Sequence, residues 1–175
     1  MAIATISQIK AAVGVGVRPN LFRVSFAGGL VGTATSDLSF LCKSAGLPGS
    51  TVGLIEVPNI AGRRLKLTGD RTFADWTVTV VNDRDFTARK AIEAYQKQFV
   101  AFESSGGTVG TGTREDVALT TITVEQLDQA GSALRTYSLK NAFVTDISTI
   151  DLSYDTTDAV EEFTVTWVYD YYTVA

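Results

Sequence analysis

Histidine is absent from this sequence, cysteine occurs once and proline three times. The missing imidazole excludes the most. Without it there is no Ser-His-Asp or Cys-His catalytic arrangement and no histidine metal ligand. The lone thiol, Cys42, rules out an internal disulfide and any multi-cysteine metal site. It reads as a small buried hydrophobe, because a reactive thiolate wants a base and an electropositive setting, and Lys43 alone is thin support. No apolar run approaches the ~20 residues of a membrane-spanning helix. Met1–Val17 carries one lysine and many polar residues, so no secretory signal is expected there, nor any membrane insertion. The chain is expected to stay soluble where it is made. Cations are also in short supply: 15 Lys and Arg against 19 Asp and Glu, net −4. Gripping nucleic acid rests on neutralising phosphates, and the nearest basic patch, Arg63, Arg64 and Lys66, is interrupted by leucines.

What is present favours strands. At 175 residues and 45% hydrophobic, the chain suits a single domain with a substantial core. Thr, Val and aromatic residues are plentiful, which fits pleated, half-buried surfaces. Leu21–Phe26 alternates, with Phe22, Val24 and Phe26 on one side. Ala27–Ser50 is punctuated by glycine and reads as a long connection with an extended piece around Leu38–Lys43. Its apolar residues imply that something covers them. Thr51–Val57 reads as extended. Arg63–Thr68 and Thr72–Val81 read as two antiparallel strands turning at Gly69-Asp70. In the second of them Trp76, Val78 and Val80 share one face, and Thr77 and Thr79 share the other.

One helix is expected over about residues 85–100. Asp83 or Asp85 can cap it, and Ala88, Ala91, Ile92, Tyr95 and Phe99 form its apolar stripe. Ser104–Thr113 reads as a flexible loop. Further strands are expected at Val117–Glu125, Ala133–Leu139, Asn141–Thr149, Ile150–Tyr154 and Phe163–Tyr172. The fold class that follows is mostly β: two packed antiparallel sheets, a sandwich or partly open barrel, with one flanking helix.

No active site assembles from these residues, and no enzyme activity, cofactor or metal is expected. Gly106–Gly112 lacks the lysine and the strand-to-helix context of a phosphate loop. Asp155, Asp158, Glu161 and Glu162 lack the spacing and glycine of a Ca²⁺ loop and sit where a turn is expected.

Several stretches, in order, resemble one family: Phe22–Phe26, Cys42–Gly49, Ile55–Val57, Arg64–Leu67, Thr72–Trp76, Asn141–Phe143, Ile150–Tyr154 and Phe163–Tyr169. Together they are similar to the tail tube proteins of contractile-tailed, T4-type bacteriophages, related in fold to bacteriocin and type VI secretion tube proteins. The chain departs from that pattern at Val144, where a proline often stands, and at Thr68-Gly69, where many members have Pro-Gly.

The resemblance implies a structural subunit of the virion, assembled in the bacterial cytoplasm as a homo-hexameric ring. Rings stack into a conduit that meets sheath and baseplate or initiator proteins and passes viral DNA without specific binding. The inner sheets would join as one barrel of about 24 strands, whose lumen of roughly 38 Å admits a duplex. The loop about 27–50 would reach the adjacent ring through Leu38, Phe40, Leu41, Leu47 and Pro48. Residues 1–18 are read either as an arm that contacts a neighbour or as a partly mobile terminus. Phe163, Val165, Trp167, Tyr169 and Tyr171 would close the subunit core. Thr77, Thr79, Thr164, Thr166, Val168, Asp170 and Tyr172 would lie on the opposite faces, the threonines and Asp170 facing the lumen. The edge of Phe163–Tyr172 would pair within the ring, which removes an aggregation hazard. A tube from another phage-derived contractile system is the alternative within this class, and a ligand-binding β-sandwich module is the alternative outside it.

Overall fold

The computed structural model describes residues 5–14, 16–29, 38–39, 41–58, 62–99, 119–155 and 157–175. Among the described residues about 50% are strand, arranged in two antiparallel sheets with two helices, and no closed barrel forms. In chain order the elements are α1 (Ile6–Val13), β1 (Phe22–Gly28), β2 (Cys42–Ala45), β3 (Ser50–Val57), β4 (Leu65–Phe73) and β5 (Trp76–Val81). Then follow α2 (Thr87–Phe99), β6 (Thr120–Leu127), β7 (Ala133–Ile147), β8 (Glu162–Val168) and β9 (Tyr171–Val174). The larger sheet runs β1-β6-β7-β8-β5-β2 with β9 also on β7, and the smaller is the β3-β4 hairpin.

The larger sheet is bent, and β7 is the hinge. Its first half pairs with β6 and its second with β8. Between them Lys140 and Asn141 oppose the single residue Thr121, and Asn141 adopts a positive φ of 57°. A bulge of this kind increases local bend and twist. The two expected strands Ala133–Leu139 and Asn141–Thr149 are therefore one strand passing through a bulge. The bend brings the two halves face to face: Phe26 of β1 lies 5.6 Å from Trp167 of β8, centroid to centroid.

α2 packs into the same core through Ala88, Ile92 and Tyr95, all buried. Tyr95 stacks 6.1 Å from Trp167 and donates to the carbonyl of Ala142 at 3.2 Å. Asp83 holds the helix start. Desolvation would raise its pKa, but hydrogen bonds from the Thr87 and Ala88 amides and the Thr87 hydroxyl bring it below its ordinary value. That is how a carboxylate behaves when it satisfies the free amides of a first turn. α1 starts with the Thr5 amide donating to Gln8 Oε1 at 2.9 Å.

Several expectations need correction. Gly69-Asp70 is not a turn: β4 runs through it, and these two residues bulge opposite Gly53 of β3. A Cβ on Gly69 would sit 3.1 Å from the Gly53 backbone, so glycine there permits a close approach of two strands. Consequently β4 pairs with β3, and β5 belongs to the other sheet. Ile150–Tyr154 forms no strand, and the segment around Leu38 is helical before β2 begins at Cys42. Ser104–Thr113 lies outside the described residues. Phe163–Tyr172 is two strands broken at Tyr169-Asp170, and β8 lies inside the sheet between β5 and β7. It therefore has no free edge; the path ends at β1 and β2. The break also exchanges the last two tyrosines. Tyr172 joins Phe73 and Tyr169 in ring contacts, while Tyr171 is exposed.

Candidate assembly surfaces

Two surfaces stand out. The first is the outer face of the β2-β5-β8-β7 half-sheet. Burial alternates along β5 and β8: Trp76, Val78, Val80, Phe163, Val165 and Trp167 point into the core. Tyr169, just beyond β8, is also buried. Thr77 stands directly across from Thr166, and Thr79 across from Thr164, on the opposite face. Asp146 lies across from Thr166 on the other side, and the Thr145 hydroxyl donates to the Thr166 carbonyl at 3.3 Å. An ion pair between Lys43 and Glu162 sits at one end of this face. The result, among the described residues, is a threonine-rich surface with one compensated pair, one further carboxylate and no unpaired cation. Asp170 does not continue it. It falls in the bend after β8, where its carboxylate accepts from Asn141 Nδ2 at 2.8 Å.

The second surface is the β3-β4 hairpin, whose described side chains are almost all exposed. Ile55 faces Leu67 and Val57 faces Leu65 across the ladder, which puts four aliphatic groups on one side. They remain 51, 45, 41 and 58% exposed respectively. The other side carries Glu56, Lys66 and Leu54, with Arg64 donating to Glu56 at 2.6 Å. Nothing is gained by presenting such an aliphatic cluster to water, and clusters of this kind mark contact surfaces. The base of the hairpin is firmly held. Trp76 Nε1 donates to the Gly46 carbonyl at 2.6 Å, Phe73 packs edge-on to Tyr172 at 5.4 Å, and Tyr172 donates to Ser50 Oγ at 3.4 Å.

Of the residues expected in an inter-ring loop, Leu38 is fully buried in the chain's own core and Leu41 packs partly against it. Leu47 is exposed and Pro48 half-buried at the hairpin base, and Phe40 lies outside the described residues. The aliphatic face of the hairpin escaped the sequence reading, although the cross-strand alternation of Ile55, Val57, Leu65 and Leu67 was its signal. No helix among the described residues is long and apolar enough to cross a membrane. Burial pushes the Cys42 thiol up to about 12, consistent with an unreactive hydrophobe.

A family model described as phage tail tube protein matches residues 15–175. The chain belongs to the phage tail tube protein family. Among its relatives, tail tube protein gp19 of Enterobacteria phage T4 is 28% identical over 155 residues, which span 89% of this chain and 90% of the relative. The tail tube protein of Serratia phage KSP90 is 26% identical over 130 residues, 74% of this chain and 71% of the relative. The same fold occurs in the PVC sheath–tube complex of an extracellular contractile injection system. A chain of that complex superimposes with a TM-score of 0.68 at 18% identity over 99% of both chains. For a tail tube protein, the surfaces that meet other subunits are the functional site, and the two described above are the candidates.

Proposed function

We propose that this chain is the repeating structural subunit of a contractile phage tail tube and performs no catalysis. Copies close into hexameric rings, the rings stack, and the resulting conduit passes viral DNA while sheath and baseplate proteins engage its outside and end. Assembly takes place in the bacterial cytoplasm and the product resides in the virion. The chain acts as a single domain, with residues 1–18 as an arm. The observation that carries this reading, beyond family membership, is the aliphatic hairpin face held out on a rigid base. It needs a partner, and a second copy is always present in a homopolymer. Leu47 and Pro48 at the hairpin base belong to the same contact. Ring closure uses the open edge strands β1 and β2, whose unpaired ladder groups would otherwise invite uncontrolled pairing.

Thr77, Thr79, Thr164 and Thr166 line the lumen in this proposal. A neutral hydroxyl surface hydrates well and neutralises no phosphates, so a duplex slides past it rather than binding. The test is negative-stain microscopy and sedimentation of the purified chain over a range of concentrations. Rings or tubes that appear with concentration support the proposal. A species that stays monomeric at high concentration, even with an initiator from the tail baseplate, opposes it. DNA within the native particles separates a phage tail from another contractile system.

A further inference from the structure

The charges of this chain are segregated along its length. All 15 Lys and Arg fall within residues 1–140, while residues 141–175 hold seven carboxylates and no cation. The hairpin carries Arg63, Arg64, Lys66 and Arg71 against Glu56 and Asp70, whereas the segment between β7 and β8 carries Asp151, Asp155, Asp158 and Glu161. Some of these are already engaged: Arg64 with Glu56, and Glu161 with the Asn82 side-chain amide. Among the described residues, no ion pair takes Arg63, Lys66 or Arg71, nor Asp151, Asp155 or Asp158, and all six are exposed. Each charged set is interleaved with exposed apolar side chains. In the acidic segment these are Leu152, Val160 and Tyr154, the last as open as in an extended chain at 105%.

Register places the two sets at opposite ends of one sheet. β5 and β8 pair from Trp76–Trp167 at one end to Val81–Glu162 at the other. The hairpin is inserted just ahead of Trp76, and the acidic segment runs directly into Glu162. Their roots are thus separated by the length of β5, about 17 Å at the rise of an antiparallel strand.

We infer that the basic, aliphatic hairpin of one copy docks on the acidic segment around Asp151–Val160 of the next copy. This inference rests on the stacked-tube reading and specifies its contact. Such a pairing is heterologous: each copy offers a donor surface at one end and an acceptor at the other. A contact of this kind repeats as an open stack where its rotation does not close a ring, as tube growth requires. Opposite potentials set the polarity and register, since a hairpin meeting another hairpin would oppose like charges. The acidic segment wraps both faces of the hairpin: Ile55, Val57, Leu65 and Leu67 on one face meet Leu152, Tyr154 and Val160, while Lys66 and Arg71 on the other face meet Asp155 and Asp158.

Charge reversal tests this in the full chain. Lys66→Glu with Arg71→Glu, or Asp155→Lys with Asp158→Lys, is expected to raise the critical concentration for tube formation at least about tenfold, given the cost of like-charge contacts. All four changes together are expected to restore tubes, because polarity is reversed at both ends of the contact. Melting temperatures should not move, since all four side chains are solvated in the free subunit. Loop reversal without effect on assembly overturns the inference, and so does a four-fold variant as defective as either pair. In both cases wild-type tubes would leave the tube reading standing. A wild-type chain that never assembles overturns both.

Discussion

Replacing Ile55 and Leu67 by serine separates assembly from folding. The two residues are directly opposed on the hairpin and each keeps about half of its surface in water. Fully burying an Ile or Leu side chain is worth about 1.5–3 kcal/mol. The half still available to a partner is therefore worth about 0.8–1.5 kcal/mol each, and the pair about 2 kcal/mol per subunit contact. At about 1.4 kcal/mol per factor of ten, the double variant should raise the critical concentration for tubes roughly 30-fold. The free subunit loses little, because exposed substitutions away from special features usually fall within about 0.5 kcal/mol. Sedimentation against concentration reads the first quantity, and urea unfolding of the unassembled subunit reads the second. A variant that loses more than about 2 kcal/mol of subunit stability while assembling normally would refute the reasoning, because the hairpin would then be packed on its own body.

Three further outcomes follow from the fold. Trp167→Ala removes the ring shared by β1, β8 and α2 and should cost about 3–5 kcal/mol in denaturant unfolding; a double-mutant cycle with Phe26→Leu should show a coupling of about 0.5–1.5 kcal/mol. A cost below about 1 kcal/mol would mean that the two halves of the bent sheet do not meet. Thr166→Pro deletes a ladder donor inside the sheet and strands a carbonyl, costing about 1–3 kcal/mol, so normal tubes from that variant would misplace β8. For pH, burial holds the Cys42 thiol at about 12 rather than 9.0. Tyr95 is raised by burial, and Tyr169 by burial and the nearby Tyr172 and Asp75 charges. The folded state keeps these protons after the unfolded chain has released them, so stability falls as pH rises above about 9. Asp83, held low, contributes stability that is lost as pH falls through its folded value. With no histidine, thermal melts should be flat from about pH 5 to 8; a slope within that window would contradict the assignment, and Cys42→Ala should shallow the alkaline fall.

Strand faces were the legible part of the fold. The period-two alternation of Trp76, Val78 and Val80, and of Phe163, Val165 and Trp167, is a property of each strand alone. It identifies the core and the threonine face without reference to pairing. What alternation does not carry is which strand pairs with which. Glycine-aspartate at 69–70 has the composition of a turn, yet the same permissive backbone also fits a bulge, and only the pairing with Gly53 distinguishes them. Asn141 posed the same ambiguity, so one bent strand read as two. Ile150–Tyr154 has strand composition but no neighbour to pair with. At Asp170 the bend resets the alternation and exchanges Tyr171 with Tyr172. The hairpin was hidden for a different reason. Ile55, Val57, Leu65 and Leu67 look like core residues, and a sequence does not record whether the core they enter is their own subunit's or a neighbour's.

Cryo-electron microscopy of particles assembled from the purified chain would show the channel lining and the ring-to-ring contact together. A hollow, six-fold tube is expected, its channel lined by Thr77, Thr79, Thr164 and Thr166 and the hairpin of each subunit buried in the next ring. Solid fibres, closed oligomers that do not stack, or a tube with those threonines buried against protein would contradict it.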